Sequence, residues 1–276
     1  LKTNITTSAN TAFGSEALRA NVANNNTAIG NEAMYGNTSG ASCTAVGALA
    51  LDAVNTGAEN TAIGYAALTT NTSGAANTAV GSAALVSNSS GNYNVGIGYQ
   101  ALEQGTTGSN NVAIGAAAMN GINTGADNTA VGYHALIANT SGPSNTAIGA
   151  YALAANTAGD RNVAVGMHAL DSVTDGDDNV FVGGYAGDAI TTGSNNTGIG
   201  RNPLNGLVSG SNSLGLGYDA GNSGSPGGTL TASNTVCIGN ASISAAHIQV
   251  DWTIASDKRD KTDVSPLDLG LDFINK

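Results

Sequence analysis

Asn26-Thr27-Ala28-Ile29-Gly30 is the stretch that organises this chain, because it returns with small variations along most of the 276 residues. Its closing glycines are Gly14, Gly30, Gly47, Gly64, Gly81, Gly98, Gly115, Gly132, Gly149, Gly166, Gly183, Gly200 and Gly217; the first step is 16 residues and each later one is 17. A second glycine follows ten residues behind in coil after coil, from Gly40, Gly57 and Gly74 through to Gly210. A fixed period of this length signals stacked repeats. Two fixed glycines per period mark two turns, since glycine alone enters positive-φ conformations without steric cost.

The residue before each first glycine is apolar and mostly β-branched (Phe13, Ile29, Val46, Ile63, Val80 and so on to Leu216), which predicts a strand. Four residues after the glycine comes a second apolar column: Leu18, Met34, Leu51, Leu68, Leu85, Leu102, Met119, Leu136, Leu153, Leu170 and Leu204. About two large apolar side chains per repeat cannot form a core alone, so the repeats must stack as a solenoid. Seventeen fully extended residues would span about 56 Å and leave the paired glycines without a purpose. The fold class is therefore all-β, a 17-residue-repeat parallel β-solenoid or β-roll. The Asn that opens each strand, as at Asn60, Asn77, Asn94 and Asn111, is expected to stack into a ladder of amides.

Side chains alternate along a strand, so Thr or Val and the following Ile share one side, read as inward. The residue between them is small almost throughout (Ala28, Ala45, Ala62, Ala79, Gly96, Ala113) and is read as outward. An outer face of Ala and Gly implies close packing by something else. The economical occupant is the same strand of sister chains about an axis, intertwined or side by side, which predicts a homotrimer; a dimer or a face small by chance are the alternatives.

Charge and composition narrow the function classes. There are 39 glycines and 10% charged residues, against about 25% charged in ordinary globular domains. A net charge of -11 argues against nucleic acid or an anionic membrane as partner. No apolar run reaches the 18 or so residues of a membrane-spanning helix, and a chain opening on Leu1 rather than Met reads as a piece of something longer. The rod is assigned to residues 1–217. A closing β region follows at 218–256, with Asn234-Thr235-Val236-Cys237-Ile238-Gly239 as a late echo of the motif and the only tryptophan, Trp252, beyond it. At 257–276 the composition turns abruptly charged.

The repeated Asn-Thr-Ala-Ile-Gly resembles the left-handed parallel β-roll repeats in the heads of trimeric autotransporter adhesins, over roughly residues 10 to 217. The segment Ser256-Asp257-Lys258-Arg259-Asp260-Lys261, leading into Leu269-Gly270-Leu271-Asp272-Phe273-Ile274, resembles the opening of the C-terminal intramolecular chaperone of endosialidase-type phage tail spikes and fibres. That second resemblance implies a domain that trimerises the fibre and then cuts itself off at this junction, with Ser256 as nucleophile, Lys261 as its base and Asp257 flanking. A serine needs such a base, and burial lets a lysine serve by lowering its pKa. The bland alternative is a solvated charged linker that begins a helix. Lys276 falls short of a whole chaperone domain, so the full catalytic geometry is not expected in this fragment.

Other candidates carry ordinary readings beside functional ones. Cys43 and Cys237 lie about eleven coils apart, too far to bridge, and read as small buried residues. His134 and His168 share a column two coils apart, so a trimer would ring three imidazoles at each level, able to hold a metal or anion; exposed histidines are the plainer reading. Asp171, Asp175, Asp177 and Asp178 read as a solvated acidic turn rather than a calcium loop. Tyr65, Tyr99, Tyr133 and Tyr218 follow motif glycines and read as turn packing rather than a glycan strip. No phosphate-binding loop is present.

The sequence thus predicts a structural and host-surface-binding segment of a trimeric phage tail fibre. It would lie outside the cell on the virion and hold no cofactor and no metal. Its only chemistry would be self-cleavage, and its partners its own copies, other tail proteins and a cell-surface glycan or protein receptor. A bacterial trimeric adhesin head is the alternative, and an ice-binding solenoid ranks below it because the Thr column is interrupted by Val95, Val112, Val163 and Val180.

Overall fold

A computed structural model describes residues 8–53, 55–105, 107–121, 124–223, 225 and 229–244. The chain divides into two compact units, 1–242 and 243–276, and of the second only Ile243 and Ser244 are described, both exposed. The first unit is a parallel β-solenoid. Among the described residues it holds fourteen three-residue strands, from β1 (Thr11–Phe13) to β14 (Val236–Ile238), joined in sequence order into one sheet. Pairing is parallel and falls one period apart, Thr44 on Thr61, Ala45 on Ala62, Val46 on Ile63. The late echo of the motif is a further rung, since β14 pairs with β13 (Leu214–Leu216) across a step of 22.

The rest of each coil is turns, and its backbone also bonds to the next coil, as where Leu51 N–H donates to Ala67 O at 3.0 Å and Leu68 N–H to Ala84 O at 2.9 Å. Bending the coil takes left-handed backbone at non-glycine residues. In one coil Glu59, Ala66 and Leu68 have φ of 62°, 53° and 55°, a region costly for side-chain-bearing residues. The first glycine column meets the turn requirement, with φ +134° at Gly98 and a hypothetical Cβ only 2.6 Å from Gly115 O. The second column does not use positive φ. It is glycine because coils stack too closely there, a Cβ at Gly40 standing 2.6 Å from Gly57 O.

The strand faces are the reverse of the sequence expectation. The middle residue points inward: Ala28, Ala45, Ala62, Ala79, Ala113 and Ala130 are all 0% exposed. The flanking Thr or Val is half-buried or exposed, and the Ile or Val faces out. Interior width decides this. The Leu/Met column is wholly buried and fills the coil, so that even a methyl at Gly96 would lie 3.1 Å from Leu85 Cγ, and at Gly215 2.7 Å from Leu204 Cγ. Only Ala or Gly fits opposite Leu; the β-branched side chains go outside. One coil breaks the pattern: Phe181 takes the inner position, and glycine at Gly187, where other coils carry Leu, and at Gly198 below makes room for its ring.

Two amide ladders complete the interior. Asn128 Nδ2 donates to Gly142 O (3.0 Å) and its Oδ1 accepts Asn145 N–H (2.9 Å), a unit repeated at Asn60, Asn77, Asn94, Asn145, Asn162 and Asn179. Cys43 and Ser213 hold the same place in their coils. A second ladder links Asn55, Asn71 and Asn88 through side-chain amides at 2.9 and 3.0 Å; farther along, its place passes to buried Val173, Ile190 and Leu207. The amides of the first ladder are taken from water with partners in place, which is the condition for burying them without loss; in the second, Asn156 Oδ1 is buried without a partner among the described residues.

Candidate interaction face

Among the described residues, the outward face of the sheet is a continuous feature that a single chain leaves uncovered. Each strand presents Thr or Val and then Ile or Val, except β1 with Thr11 and Phe13 and β13 with Leu214 and Leu216, and no described strand carries a charged residue. Ile29 and Ile63 are each 39% exposed, Ile148 41% and Ile199 47%. Thirteen strand spacings and a three-residue width give a stripe of roughly 60 by 10 Å, about 600 Å². That is at the top of the range that monomers leave exposed, about 300–600 Å². The surface that a neighbouring chain would meet is therefore β-branched rather than Ala and Gly.

Ser256, Asp257 and Lys261, with His247 and Trp252, lie outside the described residues. Cys43 and Cys237 are free and buried, and burial pushes the Cys43 thiol above its ordinary value against weaker hydrogen bonds. The four aspartates do not converge. Asp178 is paired with Arg161, whose guanidinium holds that carboxyl below the usual range. Asp175 accepts from the Thr157 hydroxyl at 3.1 Å, Asp177 from Asp160 N–H at 2.9 Å, and Asp171 lies 2.7 Å from His168 Nδ1. Among the described residues no group of three His, Cys, Asp or Glu is placed to hold a metal ion.

Sequence reading missed the aromatic column. Of the tyrosines it singled out, Tyr133 and Tyr218 make ring contacts, Tyr133 stacking on His134 and Tyr218 lying under Arg201. The continuous stack runs one residue farther on. Tyr151, His168 and Tyr185 lie parallel within 8° on successive coils, with centroids 4.9 and 5.2 Å apart. The signal was present as His134, Tyr151, His168 and Tyr185 at steps of 17. Comparison with protein-family models and with curated proteins finds no match to this chain.

Proposed function

We propose that this chain is a structural and host-surface-binding segment of a trimeric phage tail fibre, whose C-terminal chaperone drives trimerisation and is then released by self-cleavage near Ser256. The observation that carries the reading is the uncharged Thr/Ile stripe, continuous over the whole solenoid, which wants a partner of equal length and equal period. Sister chains supply both. The Ser256-to-Lys261 segment adds the resemblance to the self-cleaving junction, and the scarcity of converging titratable groups speaks against chemistry on an external substrate.

The test is expression from the complete reading frame, with and without Ser256→Ala, reading chain mass by denaturing mass spectrometry and oligomer mass by light scattering. A trimer cut near Ser256 in the parent and uncut in the variant is the expected result. Uncut trimers in both would move the bacterial adhesin head ahead. A monomer would favour a further reading that the outward Thr residues support: eight of the fourteen strands open on Thr with its side chain on the outer face, a regular array of the kind an ice-binding surface needs. Thermal hysteresis would then decide.

A further inference from the structure

The aromatic stack ends at Tyr185. His168 covers one face of its ring, while the next coil supplies Asn202 in that column, whose amide turns aside to donate to Asp219 and accept from Asn205 at 2.8 Å. Beside it, the position directly after the motif glycine carries a side chain in every coil from Ser15 to Tyr218 except at Gly184. Nothing in the backbone requires glycine there. Its φ is not left-handed, and a Cβ would meet only Met167 O, 3.9 Å away. The missing side chain leaves a gap between Met167 and Arg201, next to the last ring.

Gly184 O accepts from Asn202 N–H at 3.0 Å, and Asn202 lines an open recess of about 330 Å³ together with Tyr185, Tyr218, Arg201, Asp188, Asp219 and Asn205. This is at the small end of ligand sites, about 300–1,000 Å³. Asp188 contributes its carboxyl group to the recess wall, with Oδ1 withdrawn from solvent. Burial, then the neighbouring Asp171, raises the Asp188 carboxyl's pKa, opposed by His168.

We infer that this recess is a saccharide subsite, taking one neutral pyranose ring against Tyr185 with its hydroxyls on Asp188, Asn202 and Asn205. The chemistry selects this class. A pyranose has a weakly apolar C–H face that suits the electron-rich face of an aromatic ring, and vicinal hydroxyls that both donate and accept, matching planar carboxylates and amides. Two carboxylates against one guanidinium, on a chain of net charge -11, select against sulfated or sialylated sugars. The inference deepens the host-surface reading by naming a partner class, but its geometry belongs to one chain and does not depend on the trimer.

The test is saturation-transfer difference NMR on the 276-residue chain with methyl α-glucoside, methyl α-mannoside, methyl β-galactoside and methyl β-N-acetylglucosaminide, and with sialyllactose as the anionic arm. Transfer from at least one neutral pyranoside is expected, weakened tenfold or more in Gly184→Met, which fills the gap without removing a contact, and in Tyr185→Ala. Tyr65→Ala, in the same column as Gly184 but seven coils away, should bind as the parent does. No transfer from any neutral pyranoside, or transfer that survives Gly184→Met in a variant with parental circular dichroism, overturns the subsite. Stronger transfer from the sialyl ring than from every neutral sugar overturns its charge selection. Oligomer mass of the product of the complete reading frame, set beside the sugar binding, separates the two readings: a monomer with sugar binding removes the fibre and keeps the subsite, and a trimer with none does the reverse.

Discussion

Removing one rung of the first amide ladder should cost a measurable part of the chain's stability. In Asn128→Ala, Asn145 N–H loses the acceptor that Asn128 holds at 2.9 Å, while Gly142 O loses one of its two donors and keeps Asn139 Nδ2 at 3.0 Å. Asn128 is 0% exposed, so water does not replace it. At about 1–3 kcal/mol for one stranded group, the loss is about 1–3 kcal/mol, against about 5–15 for a whole native domain. Stability in a solenoid is set coil by coil, so urea unfolding by circular dichroism should show the loss and hydrogen exchange at Asn145 should place it. A companion variant fixes the cause. Asn128→Asp keeps the acceptor but sets a carboxylate oxygen against Gly142 O, which raises the folded-state pKa above the unfolded value of about 3.9. The folded chain then binds more protons than the unfolded one, so stability falls as pH rises through that interval. Asn128→Asp should therefore be closer to the parent at pH 3 than at pH 7. A cost below about 1 kcal/mol for Asn128→Ala, or an aspartate variant indifferent to pH, would refute the ladder's role.

Three other outcomes are expected. Gly198→Ala drives a methyl into the Phe181 ring and should lower stability by about 1–3 kcal/mol, while Phe181→Ala with Gly187→Leu rebuilds the ordinary coil and should abolish that penalty, as a double-mutant cycle in urea will measure. Cys43, buried and with its thiol pushed up, should resist iodoacetamide in the folded chain at pH 8 and react once urea unfolds it; rapid labelling of native protein would contradict the burial. Ile63→Lys places a charge on the outward stripe and should leave the circular dichroism unchanged while converting trimers to monomers by light scattering, an effect that Ser141→Lys, on an exposed turn, should not produce.

Period, strand, Leu column and first Asn ladder were legible because each depends on residue identity at a fixed spacing. The facing of the strand was not. Alternation says that Thr and Ile share a side, but which side is inward depends on the room that Leu68 or Leu85 leaves across the coil, a quantity of three dimensions. Hydrophobicity pointed the wrong way, since in so narrow a coil volume outranks it and Ala62 takes the inside while Ile63 goes out. The second ladder escaped notice because its steps drift, from Asn37 to Asn55 to Asn71, and because apolar residues replace it farther along. The second glycine column was legible in position but not in cause: close stacking of coils, rather than positive φ, demands it. The recess at Tyr185 needed an absence to be seen, the side chain missing at Gly184, which a search for conspicuous residues passes over.

The in-register stacking of strand on strand also bears on how such a chain changes over generations. Because strand pairing and the first amide ladder link residues to counterparts 17 positions away through most of the coils, losing or duplicating a block of seventeen codons there joins the flanking coils with glycine on glycine and amide on amide. A gene that repeats itself invites such slippage during copying, and this fold makes the products viable. Blocks of other lengths misalign every ladder at once, unless the surplus is thrown out as a loop, as in the step of 22 before β14. Length is therefore a quantity that selection can adjust in increments of one coil, lengthening or shortening the chain's reach while the sugar recess keeps its own two or three coils intact.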